Sequence, residues 1–129
     1  MTIEKSVLVV GLQPELVELS GLEFGSMSDL SAEAVRSGLE AERQRLNDLG
    51  YDAHLCLTDL GETAEAVVAE RLAQKRFACV VIGAGVRTIP KYFLLFEKLI
   101  NVVHERAPQA KICFNTNPND TAAAVQRWL

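Results

Sequence analysis

The sequence has little positive charge and no clustering of it. Thirteen Lys and Arg residues stand against 17 Asp and Glu among 129 residues, and the formal net charge is −4. The only two adjacent basic residues are Lys75 and Arg76. Because nucleic-acid-binding proteins usually carry a basic patch or stripe, this composition excludes a strongly basic nucleic-acid binder.

Long apolar runs and targeting signals are also missing. No stretch of about 18 uncharged apolar residues is present, so no membrane-spanning helix is predicted. Residues 1–5 do not combine a basic region with a long apolar run, so no signal peptide is visible. We therefore predict a cytoplasmic protein with no membrane partner and no nucleic-acid partner.

The few cysteines and histidines form no recognisable catalytic or metal-binding pattern. The three cysteines, Cys56, Cys79 and Cys113, include no C-x-x-C pair, and an odd count argues against a disulfide framework. Each lies in an apolar run, so structural thiols are expected, with redox, nucleophilic and metal roles as alternatives. His54 and His104 show no catalytic or metal-ligand spacing with them. The sequence predicts no metal and no cofactor, and it leaves open whether the protein is an enzyme.

Hydrophobic residues make up 49% of the chain, and many of them form four short runs. The runs cover residues 7–12, 53–57, 79–83 and 112–114. The first and third are continuous and rich in Val and Ile, which is typical of strands buried on both faces of a parallel sheet. The second includes His54, and the fourth is flanked by Lys111 and Asn115, which indicates edge strands.

Helical periodicity fills the intervals between these runs. It predicts helices over 31–49, 63–76, 88–106 and 120–129, with 88–106 as the longest. Ser31 is placed to cap the first of these helices, and Gly50 is placed to end it. Strands that alternate with helices predict an α/β protein, with a parallel sheet between two layers of helices.

Right-handed crossovers favour the strand order 2-1-3-4 for this three-layer, doubly wound sheet. That order is flavodoxin-like, or Rossmann-like, with the last βα unit missing. Residues 1–129 are predicted to form a single domain. The one long irregular stretch is 13–30, and we predict that it acts as a lid, because long loops in compact domains are usually functional or mobile.

In open parallel sheets a ligand binds at the carboxyl ends of the strands, where the strand order reverses. Here that point falls between strands one and three. Residues 83–88 combine two glycines with an arginine at the start of a predicted helix, an arrangement that favours a small anion. The predicted ligand-binding residues are Gln13, Gly83, Gly85, Arg87, Thr88, Asn115 and Asn117.

Each part of this predicted site has a structural alternative. The glycines could serve only a tight turn from strand to helix, and Arg87 could pair with Glu15 or Glu23. The polar residues 115–120 could form a capped turn.

Carboxylates near the same edge leave catalysis open. Asp59 and Glu62 follow the second strand and could hold a metal or do acid–base work, or they could serve the loop and cap the next helix. If the protein acts on the anion at the predicted site, Glu15 and Asp59 are the candidates for proton transfer.

The helix predicted over 88–106 is apolar on more than one face. Its apolar residues are Tyr92, Phe93, Leu94, Leu95, Phe96, Leu99, Ile100, Val102 and Val103. A helix that is apolar nearly all round must be buried on more than one side. We therefore predict a homodimer through 88–106, and the alternative is that neighbouring elements and the long loop cover it.

In the order of its elements, nearly the whole chain resembles flavodoxin-like proteins and response-regulator receivers. Their functional motifs are absent: Gly11-Leu12-Gln13 stands where a receiver has acidic residues, and Ile82-Gly83-Ala84 stands where it has a phosphoacceptor Asp. Gln13-Pro14-Glu15 replaces the phosphate loop of a flavodoxin. Residues 80–88 and 96–101 are similar to small uncharacterised bacterial α/β proteins. The resemblance therefore implies the fold, but neither phosphotransfer nor flavin binding.

Two functions follow from these observations. The first is binding of, or action on, a small anionic metabolite at the carboxyl end of strands 1 and 3. The second is a non-catalytic, receiver-like interaction module that dimerises through 88–106. An accessible Arg87 beside an open cleft favours the first function, and Arg87 locked in an ion pair over a filled cleft favours the second.

Overall fold

The computed structural model describes residues 5–16, 31–117 and 119–129. Its strands are β1 (Ser6–Leu12), β2 (Asp52–Thr58), β3 (Cys79–Ile82) and β4 (Lys111–Phe114). Its α-helices are α1 (Ala32–Asp48), α2 (Ala64–Gln74), α3 (Ala84–Thr88), α4 (Phe93–Arg106) and α5 (Thr121–Gln126). Single 3-10 turns cover Pro14–Leu16 and Pro90–Tyr92.

The strands of the described residues form one parallel sheet in the order β2-β1-β3-β4. This confirms the predicted doubly wound α/β class and the strand order 2-1-3-4, which is consistent with a flavodoxin-like arrangement. Every residue of β1 and β3 is buried, as their continuous apolar runs predict. β2 and β4 are the edge strands.

Helices cover both faces of this sheet. α2, α3 and α4 pack on the face that carries Leu8, Val10 and Ile82. α1 and α5 pack on the opposite face, where Val9 and Val81 lie. Side chains alternate between the faces along each strand, so a central strand must be apolar at every position.

The ends of α1 follow the predicted signals. The Ser31 hydroxyl accepts a hydrogen bond from the Ala34 N–H at 3.0 Å, which satisfies one of the unpaired donors of the first turn. Gly50 follows the helix with φ +98°, a backbone conformation that L side chains rarely adopt. The prediction for this helix is therefore confirmed to within one residue at each end.

The prediction of one long helix over 88–106 is wrong. α3, the 3-10 turn and α4 divide this part of the chain, and α1, with 17 residues, is longer than α4, with 14. The break lies at Ile89, whose φ of −92° and ψ of 115° are extended. Pro90 causes it, because the proline ring disfavours helical geometry at the residue before it.

The predicted lid, residues 13–30, falls mostly outside the described residues, which include only its first four positions. In the part of the chain that the structure describes, no helix is long and apolar enough to cross a membrane.

A buried carboxylate joins the two helices of one face. Glu42 lies on the inward side of α1 and is 4% exposed. One carboxylate oxygen accepts the Ala122 N–H in the first turn of α5 at 2.9 Å. The other lies 3.0 Å from Nε of Arg45. A buried charge is tolerated when it is paired and hydrogen-bonded in this way.

We expect Glu42→Ala to lower the free energy of unfolding by about 1.5–3 kcal/mol, because α5 loses a charged hydrogen-bond acceptor. Glu42→Gln keeps one acceptor oxygen and is expected to lose less. The matched control is Glu40→Ala, which removes an exposed ion pair with Arg43 and is expected to stay within about 0.5 kcal/mol of the parent. Urea unfolding measures all three, and equal losses for Glu42→Ala and Glu40→Ala would contradict this role of Glu42.

Candidate functional site

Gly83 brings the end of β3 against β1. Its N–H donates to the Val10 carbonyl at 2.8 Å, and a Cβ added at Gly83 would lie 3.3 Å from that same oxygen. Its φ of −68° is an ordinary value for any residue. The glycine therefore serves close approach between strands, and the positive φ that glycine would allow is not used here.

Asn115 fixes the end of β4 against two helices. Its residue is 2% exposed, and its side-chain Oδ1 accepts the N–H of Ala84 at 2.8 Å. Its Nδ2 donates to the Thr121 hydroxyl at 3.0 Å. The side-chain amide thus binds the first turn of α3 and the start of α5 at the same time.

Arg87 lies half-buried at this edge. Its Nη2 donates to the backbone carbonyl of Asn115, and its Cζ lies 5.6 Å from the ring centre of Phe114. Its Nε is buried and has no hydrogen-bond acceptor within the described residues. No carboxylate in those residues forms an ion pair with Arg87, so its charge is met only by a carbonyl dipole and an aromatic face.

The acid proposed as a partner for Arg87 is engaged elsewhere. The Glu15 carboxylate accepts a hydrogen bond from Nε of Arg36 at 2.9 Å. Hydrogen bonding to Arg36 is the main reason that the pKa of Glu15 is lowered to about 2. Glu23 lies outside the described residues. The alternative in which Glu15 neutralises Arg87 is therefore not realised.

The remaining predicted residues have separate neighbours. The N–H of Gln13 donates to the Thr58 carbonyl of β2 at 2.8 Å, and its side chain is exposed. The Thr88 hydroxyl donates back to the Ala84 carbonyl at 2.7 Å. Asn117 accepts the Asn119 N–H at 2.8 Å within its own turn. Of the seven predicted residues, direct hydrogen bonding joins only Arg87 and Asn115.

Gly85 differs from Gly83 in its surroundings. A Cβ added at Gly85, inside α3, would meet no atom within 4 Å among the described residues. Because residues two apart on a helix point to different sides, this open position lies away from the Arg87 side chain.

The carboxylates after β2 form a capped turn. Asp59 accepts the Gly61 N–H at 3.1 Å and also the N–H and hydroxyl of Thr63. The hydrogen bond from the Thr63 hydroxyl lowers the pKa of Asp59. Within the described ranges, no three His, Cys, Asp or Glu side chains converge as a metal site would require.

Three features of this region escaped sequence reasoning. Phe114 beneath Arg87 was assigned only to a strand. Thr121 was not recognised as a partner of Asn115. Cys79 and Cys113 have their Sγ atoms 2.8 Å apart, and the predicted neighbouring positions of β3 and β4 were the signal that could have indicated this contact.

A substitution pair tests the packing of the two glycines. Gly83→Ala is expected to lower the free energy of unfolding by about 1–3 kcal/mol, because its Cβ meets a carbonyl of the central strand that cannot move away. Gly85→Ala is expected to leave it unchanged or raise it by up to about 1 kcal/mol, because alanine favours the helix. Urea unfolding measures both, and equal effects would show that Gly83 is not needed for the approach to β1.

Comparison with known proteins adds no function to this geometry. No family model, no curated protein and no solved structure matches the chain.

Proposed function

We propose that this protein binds a small anionic metabolite at the carboxyl end of β1 and β3, with Arg87 as the cation that holds it. The observation that carries the proposal is that no carboxylate among the described residues pairs with the half-buried guanidinium of Arg87. A polar atom removed from water normally has a partner, because its burial is otherwise costly, and Nε of Arg87 is buried with no acceptor among the described residues. Neither Glu15 nor any other described carboxylate pairs with it, so an anionic ligand would gain a desolvated, charge-assisted contact.

The surroundings of Arg87 suit a ligand of this kind. A guanidinium presents a planar fork of N–H donors that matches phosphate and carboxylate groups. Phe114 supports one face of the guanidinium, and the Asn115 carbonyl orients it. Gln13, Thr88 and Asn117 are proposed to contact the parts of the ligand farther from Arg87.

The nearby acids support binding better than proton transfer. An efficient general acid or base has a pKa near the working pH. The pKa of Glu15 is about 2, and the pKa of Asp59 is also lowered by its hydrogen bonds. Both carboxylates are therefore held in the ionised form by protein partners, which makes them weak bases. We propose a binding protein and assign no reaction to it.

A thermal-shift series with inorganic phosphate, nucleotides and small carboxylates at matched ionic strength tests this proposal. Binding to the native state at 100 times Kd stabilises by about 2.7 kcal/mol, which raises Tm by several degrees in a domain of this size. We expect one ligand class to produce this shift, and Arg87→Gln to weaken its binding about tenfold or more.

Arg127→Gln is the matched control for Arg87→Gln. Arg127 also donates to a carbonyl at the end of β4, that of Phe114 at 2.9 Å, but it is exposed. Both variants remove one positive charge and one contact to a backbone carbonyl. Equal loss of binding in the two variants would assign the effect to net charge. Undiminished binding by a folded Arg87→Gln protein would rule out the proposed site.

The second candidate function is an interaction module that dimerises through residues 88–106. It is favoured by the exposure of Phe93 and Leu94 at the start of α4, which are 59% and 68% exposed. Large exposed apolar side chains that lie side by side are a feature of protein interfaces.

Sedimentation of the parent and of Leu94→Arg tests this second function. We expect a dimer at micromolar concentration that Leu94→Arg dissociates, because the substitution places a charge in the apolar contact. Lys98→Ala, one turn farther along α4, serves as the control and is expected to remain dimeric. A parent protein that sediments as a monomer would rule out the dimer.

A further inference from the structure

Two buried thiols are in direct contact between the last two strands of the sheet. The Sγ atoms of Cys79 on β3 and Cys113 on β4 lie 2.8 Å apart, and both residues are 0% exposed. A disulfide bond is about 2.05 Å long, so the sulfur atoms need to close by less than about 1 Å to be joined. We propose that Cys79 and Cys113 form a reversible intramolecular disulfide in the folded protein, with a small-molecule disulfide as the oxidant.

Strand register selects this pair among the three cysteines. Cys79 lies opposite Lys111, and Cys113 lies opposite Val81, so the two cysteines share one face of the sheet and are offset by two residues. That face is the one covered by α1 and α5. Cys56 packs on the opposite face of the sheet. It is therefore expected to stay a thiol.

The offset also explains why the bond would be reversible. In a flat sheet, neighbouring strands about 4.8 Å apart with a two-residue offset place the two Cα atoms about 8 Å apart. Disulfides usually span about 4.4–6.8 Å between Cα atoms. The strands are already at hydrogen-bonding distance, so bond formation requires β4 to slide along β3. A bond that strains its own backbone is easier to reduce.

The two thiols differ in their readiness to react. The hydrogen bond between the two thiols lowers the pKa of Cys113, and the charge of Arg127 acts in the same direction against the effect of burial. The same hydrogen bond raises the pKa of Cys79. Cys113 also lies on the edge strand β4, whereas Cys79 lies on the central strand β3. Because the thiolate is the attacking form, this position together with the lowered pKa makes Cys113 the residue expected to react first.

The exchange balances with one molecule of oxidised glutathione. The Cys113 thiolate attacks one sulfur of the oxidant, forms a mixed disulfide and releases a glutathione thiolate. Cys79 then loses its proton and attacks Sγ of Cys113, which releases the second glutathione. The protein loses two hydrogens in total, and the oxidant becomes two glutathione thiols.

We expect the oxidant to reach the two thiols where the short helix α5 covers them. α5 has six residues and covers this face together with α1. The first turn of α5 is held by the Glu42 carboxylate and by the side-chain amide of Asn115. Brief opening of this short helix exposes an edge strand and, beneath the helix, the two sulfur atoms, and local opening of this kind needs less free energy than global unfolding.

Thiol trapping on the folded, full-length protein tests the proposal. The reduced protein is incubated with oxidised glutathione at several ratios to reduced glutathione. It is then alkylated with N-ethylmaleimide in denaturant, and its mass is measured by intact-protein mass spectrometry. We expect monomeric chains with one alkylated cysteine, Cys56, and a Cys79–Cys113 cross-link in peptide mapping. Dithiothreitol is expected to restore three alkylated cysteines.

Variants separate the proposed pair from other outcomes. Cys56→Ala is expected to oxidise like the parent, whereas Cys113→Ser and Cys79→Ala, each confirmed as folded by circular dichroism, are expected to form no internal cross-link. Three alkylated cysteines at every glutathione ratio would overturn the proposal. A cross-link through Cys56, or a mixed disulfide that never resolves, would overturn it as well. This test does not involve the anion site, so the two proposals fail independently.

Discussion

The fold depends on the complete burial of β1 and β3 from both sides. Apolar surface removed from water contributes roughly 25 cal/mol per Å², and two adjacent strands that are apolar at every position cannot leave either face in water. Helices must therefore cover both faces, and the crossovers that place them there keep the strands parallel. One consequence is that all carboxyl ends meet at one edge, where Arg87 and Asn115 also lie.

The features that the sequence predicted correctly are those that depend on hydrophobic periodicity and on local capping signals. Continuous Val and Ile runs predicted the central strands, and their alternation with helices predicted the order β2-β1-β3-β4. Ser31 and Gly50 predicted the limits of α1 because capping and positive φ act over a few residues. The helix over 88–106 was mistaken because apolar residues on both sides of Pro90 concealed a break that the residue-before-proline rule could have indicated.

The site was less predictable because its interactions join distant parts of the chain. Topology indicated the edge of the sheet at which a ligand is expected, and the place of Gly83 at this edge followed from its position after β3. The contact between Arg87 and the Asn115 carbonyl depends on the relative placement of α3 and β4, which no local pattern encodes. Glu42 was missed for a similar reason. Its helical spacing from Leu39 and Leu46 places it on the apolar face of α1, but the Ala122 N–H that it binds lies 80 residues away in the sequence.

The two faces of the sheet are packed with side chains of different size. One includes Tyr92 from the 3-10 turn, and Leu95 and Leu99 from the 14-residue helix α4. Near β4, the other face is packed with the small side chains of Ala122, Ala124 and the two cysteines that are in contact. Small side chains offer few dispersion contacts. Stability therefore differs between the two faces of the sheet: amide protons of α5 should exchange with solvent well before those of α4, and α5 should be cleaved by proteases before α4.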